Sequence, residues 1–327
     1  MKTAAALALL ATTALTAAAH AQGAVHFDGN SYLFKNGGLN GPPTSYGGSF
    51  SAFLDTPSEQ SFTIINMAPG STTNAPGVQI SFQQLYGTPG LHLDLVLSSA
   101  GGTGLVQREE MVSEEVIPFA GLYPDYPVHI SLAWNTAVAP PQAEWSLNGV
   151  QGHWDTQFTR YMLSKLTITP TPFAINYDDA STGSPARWFV GAGPAQTMAR
   201  PLIYIGPLGG PAAFLGATAY KYAGDMAELF LHVGDGDLAD LTNSERLGIG
   251  EENFAMRDVT GIALPIPMGP GCAQIFGAHG KLPVICMRGD AAHFPLNSAL
   301  STPFLVEGTL TTAPPSSDPF NLWRLIP

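Results

Sequence analysis

HISLAWNTAVAPPQAEWSLNGV, residues His129–Val150, contains two segments in which apolar and polar side chains alternate. Ile130, Leu132 and Trp134 lie two residues apart, so in a β-strand their side chains share one face. A loop with two prolines follows, and then a second short segment that ends at Asn148-Gly149, a dipeptide typical of tight hairpin turns. We therefore predict an antiparallel strand pair with Trp134 in the core.

KYAGDMAELFLHVGDGDLADLTNSE, residues Lys221–Glu245, is the second informative stretch. Its Asp225–Val233 part alternates over some of its length and yet contains good helix formers, so the pattern alone leaves strand and helix open. Thr242, followed three positions later by Glu245, forms a capping box. This box predicts a short helix that ends near residues 248–250.

The composition favours many short strands joined by turns. Charged residues make up only 12% of the chain, about half the usual share, while Gly (36) and Pro (28) are abundant. The formal net charge of −12 gives no reason to expect nucleic acid or an anionic membrane surface as a partner.

The N-terminus has the features of a secretory signal peptide. Lys2 precedes an alanine-rich apolar run, and Ala19-His20-Ala21 places small residues where signal peptidase cleaves, which predicts a signal over residues 1–21. The alternative is an uncleaved N-terminal anchor. No later segment has the length of a membrane helix, so we expect an exported mature chain with no membrane span.

Two further segments also have the two-residue period of strands. Leu91–Leu97 reads LHLDLVL, which puts four leucines on one face and His92 and Asp94 on the other. Val78–Leu85, VQISFQQL, precedes it and is separated from it by a turn.

Four motifs resemble those of laminin-G-like domains of the bacterial and phage type, over roughly residues 24–255. They are the opening strand Val25–Leu33, the Trp-Asn strand end at Trp134-Asn135 with its return to Asn148-Gly149, the Gly-Asp-x-Ala-Glu segment Gly224–Glu228, and the helix start Thr242–Arg246. The resemblance implies that the ambiguous 225–233 segment is a strand. It also implies an all-β fold, an antiparallel β-sandwich of the concanavalin A-like jelly-roll type with one short helix.

The predicted domain organisation follows from this. Residues 22–260 form the laminin-G-like jelly roll, and residues 261–327 form a small, β-rich C-terminal extension, because the chain becomes Pro-rich there and carries both cysteines. In an oxidising compartment Cys272 and Cys286 are expected to form one disulfide. A pair of buried free thiols is the alternative.

The sequence lacks the usual catalytic patterns of this scaffold. Retaining glucanases need two carboxylates about 5 Å apart, and no Glu-x-Asp-x-x-Glu strand is present. We expect Glu109-Glu110 and Glu114-Glu115 to lie on a solvated surface. Asp225 and Glu228 are three residues apart, which places them on opposite faces of a strand.

Calcium is the one cofactor that the acidic loops suggest. Asp178-Asp179, and Asp235 with Asp237, each place acidic oxygens in a loop, as a hard cation requires. The alternative for Asp237 is a favourable charge near a helix N-terminus.

Exposed aromatic rings are the candidate contacts for sugars. Tyr123, Tyr126, Trp154 and Tyr177 lie in loop-like contexts rich in Pro, Asp and Gly, where rings can stack on saccharides. The alternative is that they pack beneath these loops.

These observations leave three functions open. The first is an exported, non-catalytic binding or structural module that contacts a glycan or an extracellular or cell-surface protein. The second is a diverged glycoside hydrolase or lyase on the same scaffold. The third is a self-assembling subunit of an extracellular or phage-like assembly. All three stay open because fold alone does not define function. In each case we expect a bacterial protein that is secreted, periplasmic or on the cell surface.

Overall fold

The computed structural model of the protein describes about two fifths of the chain. The described residues are 24–36, 44–55, 61–68, 77–84, 90–99, 108–115, 117–118, 127–147, 150–155, 171–177, 187–193, 220–234, 285–287, 291–296 and 303–312.

Twenty short strands account for most of these residues. The first ten are β1 Val25–Asp28, β2 Tyr32–Asn36, β3 Thr44–Ser45, β4 Gly47–Asp55, β5 Phe62–Ala68, β6 Val78–Gln84, β7 Gly90–Ser98, β8 Arg108–Val112, β9 Ile117–Pro118 and β10 Pro127–Asn135. The others are β11 Gln142–Leu147, β12 Val150–Gln151, β13 Ile175–Asn176, β14 Arg187–Val190, β15 Ala192–Gly193, β16 Tyr220–Lys221, β17 Ala223–Gly234, β18 Ile285–Met287, β19 Leu305–Glu307 and β20 Thr311–Thr312. Phe294–Leu296 forms a 3-10 turn.

Within the described ranges, most strands belong to two sheets of eight strands each. The first sheet has the order β12-β11-β10-β4-β17-β1-β20, with β18 paired to β17. The second sheet has the order β19-β2-β14-β5-β6-β7-β8, with β9 paired to β7. All pairings are antiparallel, and the chain passes repeatedly between the sheets, so the predicted β-sandwich of the jelly-roll type is confirmed.

β10 has the predicted orientation. Ile130, Leu132 and Trp134 are fully buried between the sheets, and β10 pairs with β4 on one side and β11 on the other. The Trp134 ring lies over Gly48, its cross-strand partner, because that position has no Cβ to obstruct it. The Trp134 Nε1–H donates to the Tyr177 hydroxyl at 3.3 Å, which satisfies its polar atom inside the core.

The ambiguous second stretch is a strand, as the resemblance implied. β17 lies between β4 and β1, and a β-bulge between Ala227 and Phe230 shifts its register. This bulge explains the mixed sequence pattern, because it places Met226 and Leu229, three residues apart, in the same core. The predicted helix from Thr242 lies outside the described residues.

Aromatic side chains join the two sheets at the centre of the core. The Tyr222 ring lies 5.6 Å from the Phe27 ring and 5.1 Å from the Phe62 ring, measured between centroids. The Phe82 ring lies 5.1 Å from the Phe62 ring, with an angle of 33° between the ring planes. Offset and edge-on contacts of this kind stabilise a core beyond the burial of apolar area.

The C-terminal segments are part of the sandwich. β18 pairs with β17, β19 pairs with β2, and β20 pairs with β1, so the described C-terminal strands lengthen or widen both sheets. Phe294 packs against Phe27 in the core, with 6.5 Å between ring centroids. The strands β18, β19 and β20 of this β-rich extension thus pair with the jelly roll, and the domain boundary between residues 260 and 261 stays a prediction. No helix in the described part of the chain is long and apolar enough to cross a membrane.

Residues 152–155 connect the edges of the two sheets. They follow β12 of the first sheet and run beside β8 of the second, where the Asp155 N–H donates to the Val112 carbonyl at 2.8 Å. The Glu115 carboxylate accepts from the His153 backbone N–H and pairs with its imidazole Nδ1 at 2.5 Å. The hydrogen bond to Glu115 raises the pKa of His153. Partial burial alone would raise the pKa of Glu115, but the hydrogen bonds from His153 outweigh this effect and lower it.

The Glu115–His153 pair makes stability depend on pH. Because folding raises the pKa of His153, this residue contributes to folding stability. The contribution is fully present below the ordinary histidine pKa of 6.5, and it is lost as the pH rises through the higher pKa of the folded state. Because folding lowers the pKa of Glu115, this residue also contributes to folding stability. That contribution is fully present above the ordinary glutamate pKa of 4.5, and it is lost as the pH falls through the lower pKa of the folded state. We therefore expect Glu115→Gln to lower the melting temperature most near pH 5.5, about midway between these values, and less at pH 8.

The control for this experiment is Glu114→Gln, because Glu114 is exposed and its charge contributes less than Glu115 does to the raised pKa of His153. Melting temperatures measured by circular dichroism from pH 4 to 9 compare the two variants. A Glu115→Gln difference that is constant across this range would contradict the assignment.

Candidate functional site

Most of the predicted site residues lie outside the described residues. These are the aromatic residues Tyr123 and Tyr126, the acidic residues Asp178, Asp179, Asp235 and Asp237, and the cysteine Cys272. Their roles in ligand, calcium and disulfide binding stay predictions. Within the described part of the chain, no cluster of three or more His, Cys, Asp or Glu side chains is arranged to hold a metal ion.

Tyr177 belongs to the core. Its side chain is 1% exposed, it stacks on Trp188 with an angle of 8° between the rings, and its hydroxyl accepts from Trp134. Burial raises the pKa of its hydroxyl far above the ordinary value. The prediction of an exposed sugar-stacking ring is therefore wrong for Tyr177, because its ring packs on Trp188 inside the core.

Trp154 occupies an intermediate position. It is partly buried, its ring centroid lies 6.1 Å from that of Trp145, and its Nε1–H donates to the Ala143 carbonyl at 2.8 Å. These contacts anchor the ring at the edge of the first sheet, and its role in ligand stacking stays a prediction.

Glu109, Glu110 and Asp225 are acidic residues that the fold buries. Glu109 and Glu110 are 5% and 2% exposed, so the expected solvated surface is wrong for this pair. Burial, followed by the charge of Glu110, raises the pKa of Glu109 to about 7. Oδ1 of Asp225 lies 2.7 Å from Nδ1 of His26, its cross-strand neighbour on β1, so this carboxylate has a structural role in the pairing of β17 with β1.

The strongest cluster of polar side chains lies on the second sheet. It occupies the face opposite the core, where β5, β6 and β7 alternate with their buried apolar residues. We call it the polar face, and its members are Asn66, Gln79, Ser81, Gln83, His92 and Asp94. Each is 6% exposed or less, so the group is enclosed in spite of its polarity.

The strand register brings these side chains together. Ser81 lies directly opposite Asp94, and Gln83 lies opposite His92, on neighbouring strands β6 and β7. Asn66 on β5 lies opposite Gln79 on β6. Directly opposite residues in an antiparallel pair have their Cβ atoms about 5 Å apart, which suits side-chain contact.

Asp94 is the centre of a hydrogen-bond network. Its Oδ2 accepts from the Ser81 hydroxyl at 3.4 Å and from the Gln83 amide. Because Ser81 donates to Asp94, its oxygen accepts from the Gln79 Nε2 at 3.3 Å. The amide nitrogens of both glutamines therefore point into the network, and two donors from β6 hold a carboxylate of β7.

His92 is oriented by a backbone carbonyl. Its Nδ1 lies 2.8 Å from the Ser113 carbonyl oxygen, which can only accept, so Nδ1 carries the proton. In the neutral tautomer with this Nδ1–H, Nε2 presents a lone pair. Ser113 is held in turn, since its hydroxyl accepts from the Leu93 N–H and donates to the Glu115 carbonyl.

Several buried atoms of the polar face have no hydrogen-bond partner within the described part of the structure. They are Oδ1 and Nδ2 of Asn66, Oε1 of Gln79 and Nε2 of His92. A buried polar atom that lacks a partner costs about 1–3 kcal/mol. A polar molecule that reached these atoms would supply the missing hydrogen bonds.

The sequence contained the signal for the polar face. The alternation in LHLDLVL placed His92 and Asp94 opposite the leucines, and VQISFQQL has the same alternation with Gln79, Ser81 and Gln83. What was missed is that two adjacent strands with matching polar faces form one cluster. Polar residues on a strand face usually mean solvent, and the sequence carries no sign of their burial.

Comparisons with known proteins concern the fold. No protein-family model matches the chain, and no curated protein matches it either. Among solved structures, a heptameric SAP-like pentraxin from Limulus polyphemus has 10% identity and a TM-score of 0.45, covering 89% of this chain and 94% of its own. The mouse laminin alpha1 chain, domains LG4-5, has 12% identity and a TM-score of 0.36, covering 64% of this chain and 41% of its own.

An exolytic alginate lyase from Zobellia galactanivorans is also similar, with 10% identity and a TM-score of 0.26 over 53% of this chain and 80% of its own.

Proposed function

We propose that this protein is an exported, non-catalytic module that binds carbohydrate, and that the polar face of the second sheet is its binding surface. The observation that supports the proposal is the set of buried, partnerless polar atoms on Asn66, Gln79 and His92. Their side chains come from three adjacent strands and belong to one face.

The chemistry of this face suits saccharides. Amide, imidazole and carboxyl groups form directional hydrogen bonds with hydroxyls, and a sugar presents several hydroxyls at a spacing that neighbouring strands can match. The low exposure of the polar face strengthens each of these bonds, because water competes less there. Strand positions also hold the contacting atoms more rigidly than loops do.

A binding measurement with matched variants tests the proposal. We expect a glycan array, run with calcium and with a chelator, to identify an oligosaccharide ligand for the wild-type protein. Gln79→Ala is expected to weaken its binding at least about tenfold, because the lost hydrogen bond contributes on the order of 1.5 kcal/mol. Gln151→Ala is the matched control, since this glutamine is exposed at the edge of the first sheet.

Thermal melts verify that both variants are folded, and calorimetry then gives their affinities. Equal affinities for Gln79→Ala and wild type would rule out the polar face as the binding surface. A ligand that binds only with calcium would instead direct attention to the acidic loops at 178–179 and 235–237.

The orientation of His92 supports one alternative, a diverged glycoside hydrolase or lyase. A neutral imidazole whose Nδ1–H is fixed by a carbonyl can accept a proton at Nε2, which is the role of a general base. We expect no sugar release from β-glucans, since the paired carboxylates that retaining glucanases need are absent from the sequence. Product release that disappears in His92→Ala would establish the enzyme instead.

Because we propose that the protein is exported, we also propose that Cys272 and Cys286 form a disulfide in the mature chain. Cys286 is fully buried in β18, beside β17 of the first sheet. By the loop-entropy relation a bond closing this short loop stabilises the fold by about 3 kcal/mol. We expect the mature protein, alkylated without reductant, to show no added mass, and alkylation after reduction to add two groups. Two alkylated thiols before reduction would contradict the bond, and the same spectrum tests cleavage after Ala21.

A further inference from the structure

We propose that residues 320–326 of this chain add a strand to the exposed edge of the second sheet, beside β19. These residues follow β20 in the sequence and lie outside the described part of the chain. β2 and β14 separate β19 from the strands of the polar face, so this interaction is independent of the proposed carbohydrate-binding function.

β19 is an edge strand with exposed apolar side chains. Within the described ranges it pairs with β2 alone, at the end of the second sheet. Leu305 is 55% exposed, Val306 is 42% exposed, and Glu307 is exposed beside them. Because Leu305 and Val306 are adjacent in a strand, their side chains are on opposite faces. The edge is therefore apolar and uncovered on both faces, and such an edge is a template for a further strand.

The same end of the molecule carries a third exposed apolar side chain. Leu296 is 53% exposed, and the neighbouring Pro295 carbonyl accepts from the Phe304 N–H at 2.7 Å, which brings Leu296 next to the start of β19. Three of the four large apolar side chains that are exposed among the described residues therefore lie together. A patch of this kind marks an interaction site.

The sequence of residues 320–326, FNLWRLI, matches this edge. In an extended strand Leu322, Arg324 and Ile326 share one face, and Trp323 and Leu325 share the other. Apolar side chains on both faces suit an edge that is apolar on both faces. Phe, Trp and Ile also favour the strand conformation.

The charges of the two segments are complementary. Arg324 is the one basic residue in the sequence after β20, and Glu307 is the one acidic residue of β19. When these two lie opposite each other, Leu305 lies opposite Leu322 in a parallel pair or opposite Ile326 in an antiparallel pair. Either direction thus joins an opposite-charge pair to an apolar pair on one face, and cross-strand pairs of both kinds stabilise a sheet.

The linker between β20 and this segment is long enough to reach β19. Residues 313–319 form it, and seven extended residues span up to about 23 Å. β20 belongs to the first sheet and β19 to the second, and packed sheets lie about 10 Å apart. Only residues 308–310 separate β19 from β20, so the two strands are also close along the chain.

Engineered cysteines in the full chain test the proximity. Glu307→Cys combined with Arg324→Cys is expected to form a disulfide within one chain under mild oxidation. Gln151→Cys combined with Arg324→Cys is the control, because β12 lies at the opposite end of the first sheet from β20. We expect at least about tenfold less linkage in the control, since a disulfide needs Cβ atoms about 4 Å apart. Cleavage before Asp318 separates positions 307 and 324, so mass spectrometry without reductant detects the linked peptides.

Charge reversal tests the pairing without a new covalent bond. Arg324→Glu places two like charges beside each other and is expected to speed hydrogen exchange of the backbone amides of residues 305–307 by about fivefold. Adding Glu307→Arg in the same chain restores the opposite charges, so we expect the slower exchange to return.

The outcomes distinguish the possible occupants of the edge. Linkage as scarce as in the Gln151 control would overturn the proposal, and so would exchange that Arg324→Glu leaves unchanged. A disulfide that joins two chains, seen as a dimer on a non-reducing gel, would assign the edge to a second copy of the protein instead.

Discussion

Trp134→Ala is expected to lower the free energy of unfolding by about 3–5 kcal/mol, the range for removing a large buried aromatic ring. The indole is fully buried between the sheets, so alanine would leave a cavity bordered by β4 and β10. The substitution also removes the donor to the Tyr177 hydroxyl, which stays buried. Because this loss is a large part of a typical domain's stability, we expect poor expression or a much lower midpoint in urea unfolding.

Ser131→Ala is the control for this experiment. Ser131 lies on the same strand, 1% exposed, but its side chain is on the opposite face from Trp134. Its hydroxyl has no partner among the described residues, so its removal breaks no hydrogen bond described here. A Ser131→Ala protein that unfolds while Trp134→Ala melts like wild type would show that the face assignment of β10 is reversed.

Gly48→Ala is expected to destabilise the protein by about 1–3 kcal/mol through overpacking. A Cβ at position 48 would lie 2.1 Å from Cζ2 of Trp134 and 2.5 Å from its Cε2, far inside van der Waals contact. The indole is enclosed on all sides, so it cannot rotate away without displacing other core residues. A lower urea midpoint with an unchanged slope is the expected observation.

A double-mutant cycle shows whether the cost at position 48 arises from the indole. In a Trp134→Phe background the smaller ring leaves room for the new methyl group, so Gly48→Ala should cost less there than in the wild-type protein. An equal cost in both backgrounds would mean that the backbone at Gly48, rather than the ring above it, needs glycine.

Sequence patterns predicted the sheets well where apolar residues alternate regularly. β10, with Ile130, Leu132 and Trp134, and β7, with its leucines, needed only the two-residue period of a strand. β17 did not follow from periodicity, because its bulge after Ala227 breaks the two-residue period. For this strand the resemblance to laminin-G-like domains supplied the correct answer.

The candidate site was harder to predict because it depends on burial. Glu109 and Glu110 are adjacent acids and therefore suggest a solvated edge, yet both are enclosed in the fold. The same holds for His92 and Asp94, which the alternation placed on the correct face but not inside the protein. Whether a strand's polar face meets water or protein is set by distant segments, and no local pattern records it.

The pairing of the first two strands has a consequence for how the chain matures during synthesis. β1 pairs with β17 and β20, and β2 pairs with β14 and β19, so neither strand pairs with any segment that directly follows it. The first strands to leave the ribosome therefore wait for their first partners until more than half of the polypeptide has been made. Such long-range pairing slows folding. It also leaves these two strands without their sheet neighbours while the segments between them and those neighbours are synthesised.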